Sequence, residues 1–305
     1  MKSESLKIGL GYILITLLWG STWLAIRIGL DSLTPMFAVG TRFFIASFFV
    51  LIVMKISKVK LQTDPLSIKL YLFLAFFSFI IPFTLVYWGE QFVPSGLTSI
   101  IFAVFPFFVI LFSWLLIPNE HVGIYKLIGV LIGFIGIIII FWKDMSLDLS
   151  ENSLGMIAIL VSAIIQGLVA VVIKKHGNKL NPLSMNYVPL LISGIVLIPV
   201  GLIFEDSSSL VFDSKAISSI LYLAFFGTVI TFTTYYWLMQ KINVVILSLS
   251  TFITPIIALI LGVVFLSEKF DTNHIWGSSL VLMGILFANF RGLFNYYKAK
   301  EKRID

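Results

Sequence analysis

The chain contains no cysteine, which removes disulfides, thiolate nucleophiles and cysteine-ligated metals from consideration. Charge is scarce as well: 12% of the 305 residues are Asp, Glu, Lys or Arg, against roughly 25% in soluble domains. What charge there is lies in short connections and near the C-terminus, and no Asp, Glu or His falls near the middle of a long apolar run. A proton relay through mid-span carboxylates or histidines is therefore not evident. There is no H-E-x-x-H, no serine paired with a mid-span histidine and no aspartate within a span, so an intramembrane enzyme is not expected. Neither a metal nor a cofactor is expected. The net charge of +6 is not arranged as a basic stripe interleaved with aromatics, which argues against nucleic acid as a partner.

What remains is apolar. Hydrophobic residues make up 59% of the chain, 29 of them Phe, and the mean hydropathy is +1.06. A bilayer core of about 30 Å takes roughly 20 apolar residues per helix. Ten such stretches are present, at 8–28, 36–54, 70–89, 97–117, 124–142, 154–173, 187–204, 217–239, 244–266 and 274–294. They are continuously apolar rather than alternating, which excludes an outer-membrane barrel. The first run is too long for a signal-peptide core and lacks a small-x-small cleavage site, so it reads as a retained helix. Placing both termini in the cytoplasm puts sixteen lysines and arginines inside and four outside, the bias expected of a cell-membrane protein.

The chain is also one unit written twice. Leu74-Ala75-Phe76-Phe77 recurs as Leu223-Ala224-Phe225-Phe226, Tyr87-Trp88 as Tyr236-Trp237 and Pro106 as Pro255, all at an offset of 149. Gly20, Arg27 and Leu33-x-Pro35 pair with Gly167, Lys174 and Leu180-x-Pro182 at 147, and Glu120, Gly129 and Gly136 with Glu268, Gly277 and Gly284 at 148. The units are 8–143 and 152–294, followed by a basic segment, 295–305. Five spans in each make the second unit enter the membrane from the opposite side. The expected fold is an all-α integral membrane protein of ten transmembrane helices in two inverted repeats, the geometry of alternating access.

These motifs resemble the EamA family of the drug/metabolite transporter superfamily. The residues that carry the likeness are Leu18-Trp19-Gly20-Ser21-Thr22-Trp23 with Arg27, Pro35 followed by Arg42, Pro94-Ser95-Gly96-Leu97-Thr98-Ser99 leading to Pro106, and the late Glu120 and Glu268. The likeness covers residues 8–292. It implies that helices 1, 3, 4, 6, 8 and 9 surround a central cavity, with 5 and 10 peripheral and 2 and 7 flanking. It also implies export of small metabolites such as amino acids, or of drugs and other solutes. The second half departs from the pattern: Trp19-Gly20-Ser21 becomes Gln166-Gly167-Leu168, and Arg42 meets Pro189. The cavity is therefore expected to be chemically asymmetric.

Polar groups inside spans are costly and are functional candidates for that reason. Arg42 is the one charge clearly within an apolar run. It reads either as an anchor for a substrate carboxylate or gate partner of Glu90, or as a structural partner of helix-end carbonyls. Glu90 follows Tyr87-Trp88 and reads either as a solvated residue beside an aromatic belt or as a gate or coupling group. Trp19, Ser21 and Thr22 sit mid-helix, as cavity lining or as local packing. Tyr87, Ser99, Gln166, Tyr236, Ser248 and Thr251 complete the candidate lining, Ser248 and Thr251 sharing a helical face. Pro106 and Pro255 stand at equivalent mid-span positions and read as a pair of hinges or as passive kinks. The expected partners are a small-molecule substrate and the lipid bilayer.

Overall fold

A computed structural model of the protein describes residues 2–117, 123–141, 151–177, 180–241 and 250–301. All regular structure among them is helical. The rods are α1 (Lys2–Gly29), α2 (Pro35–Ile56), α3 (Pro65–Gly89), α4 (Ser95–Leu116), α5 (Ile124–Phe141), α6 (Glu151–His176), α7 (Pro182–Phe204), α8 (Ser214–Ala224 continuing to Thr231–Lys241), α9 (Ser250–Leu266) and α10 (Thr272–Glu301). Seven of these are long and apolar enough to cross a membrane, and three more contain shorter apolar helices, Ile124–Ile140, Ile253–Leu266 and Thr272–Ala288. Their starts follow from local chemistry. Asp64 accepts the Ser67 amide ahead of Pro65, and Asn181 accepts the Leu183 amide ahead of Pro182. Asp213 accepts the Ala216 amide at the head of α8. An acceptor at the cap and proline at the first helical position both relieve the unpaired amides of a first turn.

The two halves pack as inverted copies. Gly40 of α2 lies against Leu197 and Ile198 of α7, Phe44 against Gly194, and Phe37 against Gly201. As numbers rise along α2 they fall along α7, so these equivalent helices run antiparallel. The same holds for α5 and α10. A Cβ added to Gly136 would sit 2.6 Å from the Gly277 carbonyl, and one added to Gly277 would sit 2.6 Å from the Gly136 carbonyl. Gly129 and Gly284 repeat that contact two turns away. Only glycine permits such backbone contact, the means by which small residues hold helices together in lipid.

A third relation ties the halves. In α3 and α6, Ser78 meets Gln166, Pro82 meets Ser162 and Gly89 meets Gly155. In α1 and α8, Ser21 meets Tyr222, Ala25 meets Ser219 and Glu4 meets Lys241. Shifting the first register by the repeat offsets lands within three residues of the second, so the two interfaces are close copies of one contact.

Three local departures from a regular α-helix follow. Residues Ala75–Ile80 of α3 and Phe225–Ile230 of α8 are π-helical, at equivalent places in the duplicated Leu-Ala-Phe-Phe motif. Span 4 is not one helix: it stops at Phe102 and restarts at Phe105, with Pro106 in the first turn of the new segment. Its counterpart Pro255 lies inside a continuous α9. Finally, α10 runs on into the basic segment as far as Glu301. Asn295-Tyr-Tyr-Lys-Ala-Lys-Glu contains no Gly or Pro to stop it.

Candidate functional site

The interior is built around Arg42, which is 3% exposed. Its Nε donates to Thr228 Oγ1 at 3.1 Å, its Nη1 to the Tyr87 hydroxyl at 3.2 Å and its Nη2 to the Gly227 carbonyl at 3.3 Å. The guanidinium also lies 5.2 Å from the centroid of the Phe83 ring and 5.4 Å from that of Phe43, within cation–π range. The π-helix explains the placement. Its wide turn disturbs the usual carbonyl pairing of a helix, and buried carbonyls require donors. Thr228 gives its hydroxyl proton to the Leu223 carbonyl, five residues back, and offers its lone pair to Arg42. Arg42 therefore pairs with helix carbonyl and hydroxyl groups, and three of its five N–H donors are engaged this way. It is neither solvated nor in an ion pair with Glu90.

Aromatic rings complete this region. Phe43 meets Phe79 and Phe83 at centroid distances of 5.2 and 4.9 Å. Phe79 meets Phe232 at 6.1 Å, and Trp19 packs on Phe232 and Tyr235 at 5.8 and 5.0 Å. Trp19 thus stands with the aromatic wall. Thr22 is buried, returns its hydroxyl to the Trp19 carbonyl and faces Gly227 with its methyl group. Ser21 turns away, toward the hydroxyl of Tyr222 on α8 at 2.6 Å.

Gln166 belongs to a second polar spot. Its amide donates to the Ser78 carbonyl at 2.8 Å and accepts from the Ser78 hydroxyl at 3.3 Å. Ser78 is the repeat partner of Gly227, so the same π-helical carbonyl is met by Gln166 in one half and by Arg42 in the other. Sequence reading did not find the π-helices, although the duplicated Leu-Ala-Phe-Phe that precedes them was its clearest repeat signal. Ser99 is buried on α4 and spends its hydroxyl on the Gly96 carbonyl, a local bond rather than a presented group. Ser248 lies outside the described residues, as do the side chains of Tyr236 and Thr251.

The end of the bundle away from the N-terminus carries a charged cluster. Glu268 reaches across the halves to the head of α4, accepting the Ser95 amide at 2.6 Å and the Gly96 amide at 3.0 Å. Glu205 does the same for α2, accepting the Met36 amide at 2.8 Å and the Phe37 amide at 3.2 Å. Arg27 donates to the main-chain carbonyls of Glu90 and Gln91, each at 3.2 Å. Glu90 itself, the residue after the last of α3, is not a solvated interfacial side chain. It is 0% exposed, and both carboxylate oxygens lack a hydrogen-bond partner. Burial, reinforced by the Glu268 carboxylate and opposed by Arg27 and Arg42, pushes its carboxyl well above the ordinary range.

This architecture has known counterparts. The model of the EamA-like transporter family matches residues 7–142 and again residues 153–290. The chain belongs to that family. An uncharacterized transporter, YoaV, of Bacillus subtilis (strain 168) is 30% identical over 285 residues, covering 93% of this chain and 97% of that relative. Protein PagO of Salmonella typhimurium (strain LT2) is 31% identical, over 84% of each chain. The uncharacterized inner membrane transporter YedA of Escherichia coli (strain K12) is 28% identical over 81% of this chain and 78% of its own. A solved crystal structure sharing 17% identity superposes with a TM-score of 0.67 over 92% of this chain and 96% of its own, and so shares the fold. Family membership and the apolar helices make the protein a multi-pass membrane protein of a transporter family.

Proposed function

We propose that the protein is a secondary transporter that exports a small metabolite of the amino-acid type by alternating access. In this reading all ten rods span the membrane, both termini are cytoplasmic and the Glu90–Glu268 end is the outer one. The observation that carries the reading is the inversion itself: α1 with α8 and α3 with α6 make closely similar interfaces that run in opposite senses through the bundle. Two inverted copies of one interface give a frame whose closed and open ends can exchange at little cost in packing.

Arg42 supplies the recognition group. Its two remaining N–H donors suit a carboxylate, and the Phe43, Phe79, Phe83, Phe232 and Trp19 rings suit an apolar body or an ammonium group. Helix 4 flexes at the break just ahead of Pro106 and helix 9 at Pro255. The test is exchange in liposomes against a panel of amino acids and decarboxylated analogues. Carboxylate-bearing solutes are expected to exchange, and Arg42→Gln to weaken them at least tenfold relative to amines. No flux of any small metabolite would overturn the transporter reading, and unaltered selectivity in Arg42→Gln would remove Arg42 from recognition.

A further inference from the structure

We propose that Glu90 is a proton-binding site, and that a proton on its carboxyl group favours the conformation described here. The inference rests on the transporter reading for its purpose but not for its geometry. Both Glu90 oxygens are buried with no donor in reach, and the nearby Ser95 hydroxyl is likewise buried and unpartnered. An ionised carboxylate in such a position costs several kcal/mol unless donors or a close cation compensate it. Each group packed around it fails to do so. On α1, Arg27 donates through Nη1 to the main-chain carbonyls of Glu90 and Gln91 and makes no bond to the Glu90 carboxyl. On α2, Arg42 gives three of its donors to Tyr87, Gly227 and Thr228 and none to Glu90. Tyr87, one turn before Glu90 on α3, accepts from Arg42. At the head of α4, the Ser95 and Gly96 amides belong to Glu268. From α6, Gly155 and Ile159, neither of which has a side-chain donor, press on Gly89. After α9, Glu268 brings a second negative charge, which opposes ionisation of Glu90.

The contrast between the two carboxylates is informative. Glu268 accepts two backbone amides at a helix N-terminus. Glu90 accepts none, and a buried carboxyl without donors is favoured as the acid. The sign follows directly. This conformation binds the proton more tightly than one in which Glu90 meets water or a free guanidinium, so acid favours it. The preference is lost as pH rises through the raised pKa. One proton changes the conformational equilibrium by at most about tenfold per pH unit. In a transporter, that linkage makes opening of the outer end a proton-release step.

Two measurements decide the matter. Infrared spectra of the full-length protein in lipid at neutral pH are expected to show the carbonyl stretch of a protonated carboxylic acid. Glu90→Gln should abolish that band, Glu268→Gln should leave it, and Glu90→Asp should retain a shifted one. Because the natural chain has no cysteine, Gln91→Cys with Ser208→Cys provides a unique spin-label pair on exposed positions of the two halves. Its distance distribution should move toward the present conformation on acidification, up to tenfold in population ratio per pH unit, and become pH-independent when Glu90→Gln is added. Absence of the acid band, its survival in Glu90→Gln, or unchanged pH dependence in that variant would overturn the assignment. Loss of solute flux in liposomes would remove the transporter reading and leave these two results standing; flux without the acid band would do the reverse.

Discussion

The two halves of this protein meet the same difficulty with different chemistry. Each interrupts its third helix with a π-helical turn, and in each the carbonyl at the equivalent place, Ser78 or Gly227, takes a side-chain donor from another helix. In the first half the donor is the neutral amide of Gln166, which also accepts from the Ser78 hydroxyl and so closes a two-way pair. In the second half the equivalent position on α1 is Trp19, which cannot reach the carbonyl, and Arg42 arrives instead from α2. One solution is neutral and complete. The other places a full positive charge with donors to spare among aromatic rings. A duplicated scaffold thus acquires a single polarised side.

Breaking the two solutions should therefore cost different amounts. Arg42→Leu strands the Gly227 carbonyl, the Thr228 hydroxyl and the Tyr87 hydroxyl together, and bonds to a charged group contribute more than neutral ones, so about 3 kcal/mol of stability should be lost. Gln166→Leu strands only Ser78 and should cost about 1–2 kcal/mol. Thermal unfolding of the detergent-solubilised variants, followed by helical circular dichroism, measures both. Equal losses would show that the charge adds nothing to the architecture.

The helix caps that bridge the halves extend the comparison to the two ends of the bundle. At one end Glu205 and Glu268 each hold two backbone amides of a helix from the other half. At the N-terminal end the comparable bond runs the other way, from the Asn181 amide to neutral Gln62 at 2.6 Å. Glu120, the repeat partner of Glu268, lies outside the described residues. Glu205→Ala and Glu268→Ala should each lower stability by about 2 kcal/mol, and Gln62→Ala by about 1 kcal/mol. A larger loss at Gln62 would reverse the expectation that the Glu90–Glu268 end is the more firmly latched in this conformation.

The prolines differ in the same spirit. In span 4 the break at Ala103–Val104 precedes Pro106, and the Ala103 amide is already shared between the Ser99 and Ile100 carbonyls. Removing the ring leaves that break in place. Pro255 interrupts an otherwise regular α9, where alanine would restore a helix bond and stiffen the rod. Pro255→Ala is expected to slow solute exchange severalfold in liposomes and Pro106→Ala to change it less than twofold. Equal effects would return the two prolines to the symmetric hinge role that the repeat alone implies.

How much of this was legible beforehand follows from the range of the forces involved. Apolar runs, lysine bias and the 147–149 offsets are properties of whole segments, so the helical membrane class and the paired architecture could be read directly. Contacts between distant segments could not. Glu90 next to Trp88 looks like an interfacial residue in one dimension; only the packing of α1, α4 and the α9–α10 connection removes it from solvent. Arg42 was recognisable as exceptional because its neighbours are Phe and Ile, but two of its three hydrogen-bond partners, Gly227 and Thr228, sit more than 180 residues away on a π-helical turn. No residue pattern that was read announced that turn, and its only trace was the strength of the Leu-Ala-Phe-Phe repeat.

The smallest expected effect concerns the junction of α1 with α8, at the Glu90–Glu268 end of the bundle. Ser32 donates to Asp213 at 2.9 Å, and the Val211 amide to the Ser32 carbonyl at 2.9 Å. The Ala216 amide, then the Ser32 hydroxyl, hold the Asp213 carboxyl below its ordinary value. A depressed carboxylate contributes stability above its unfolded value of about 3.9, and loses it as pH falls through the lower folded value. The repeat partner of Asp213 at the 149 offset is Asp64, which caps α3 by accepting the Ser67 hydroxyl and amide and is likewise held below its ordinary value. Protection of the amides at the heads of α8 and α3, taken as exchange relative to the intrinsic rate at each pH, should therefore fall slightly at both between pH 5 and 3, by less than about threefold given how little exposed groups contribute. Asp213→Asn should remove the response at α8 and leave that at α3, and a response that persists at α8 in that variant would assign it to the bundle as a whole rather than to this junction.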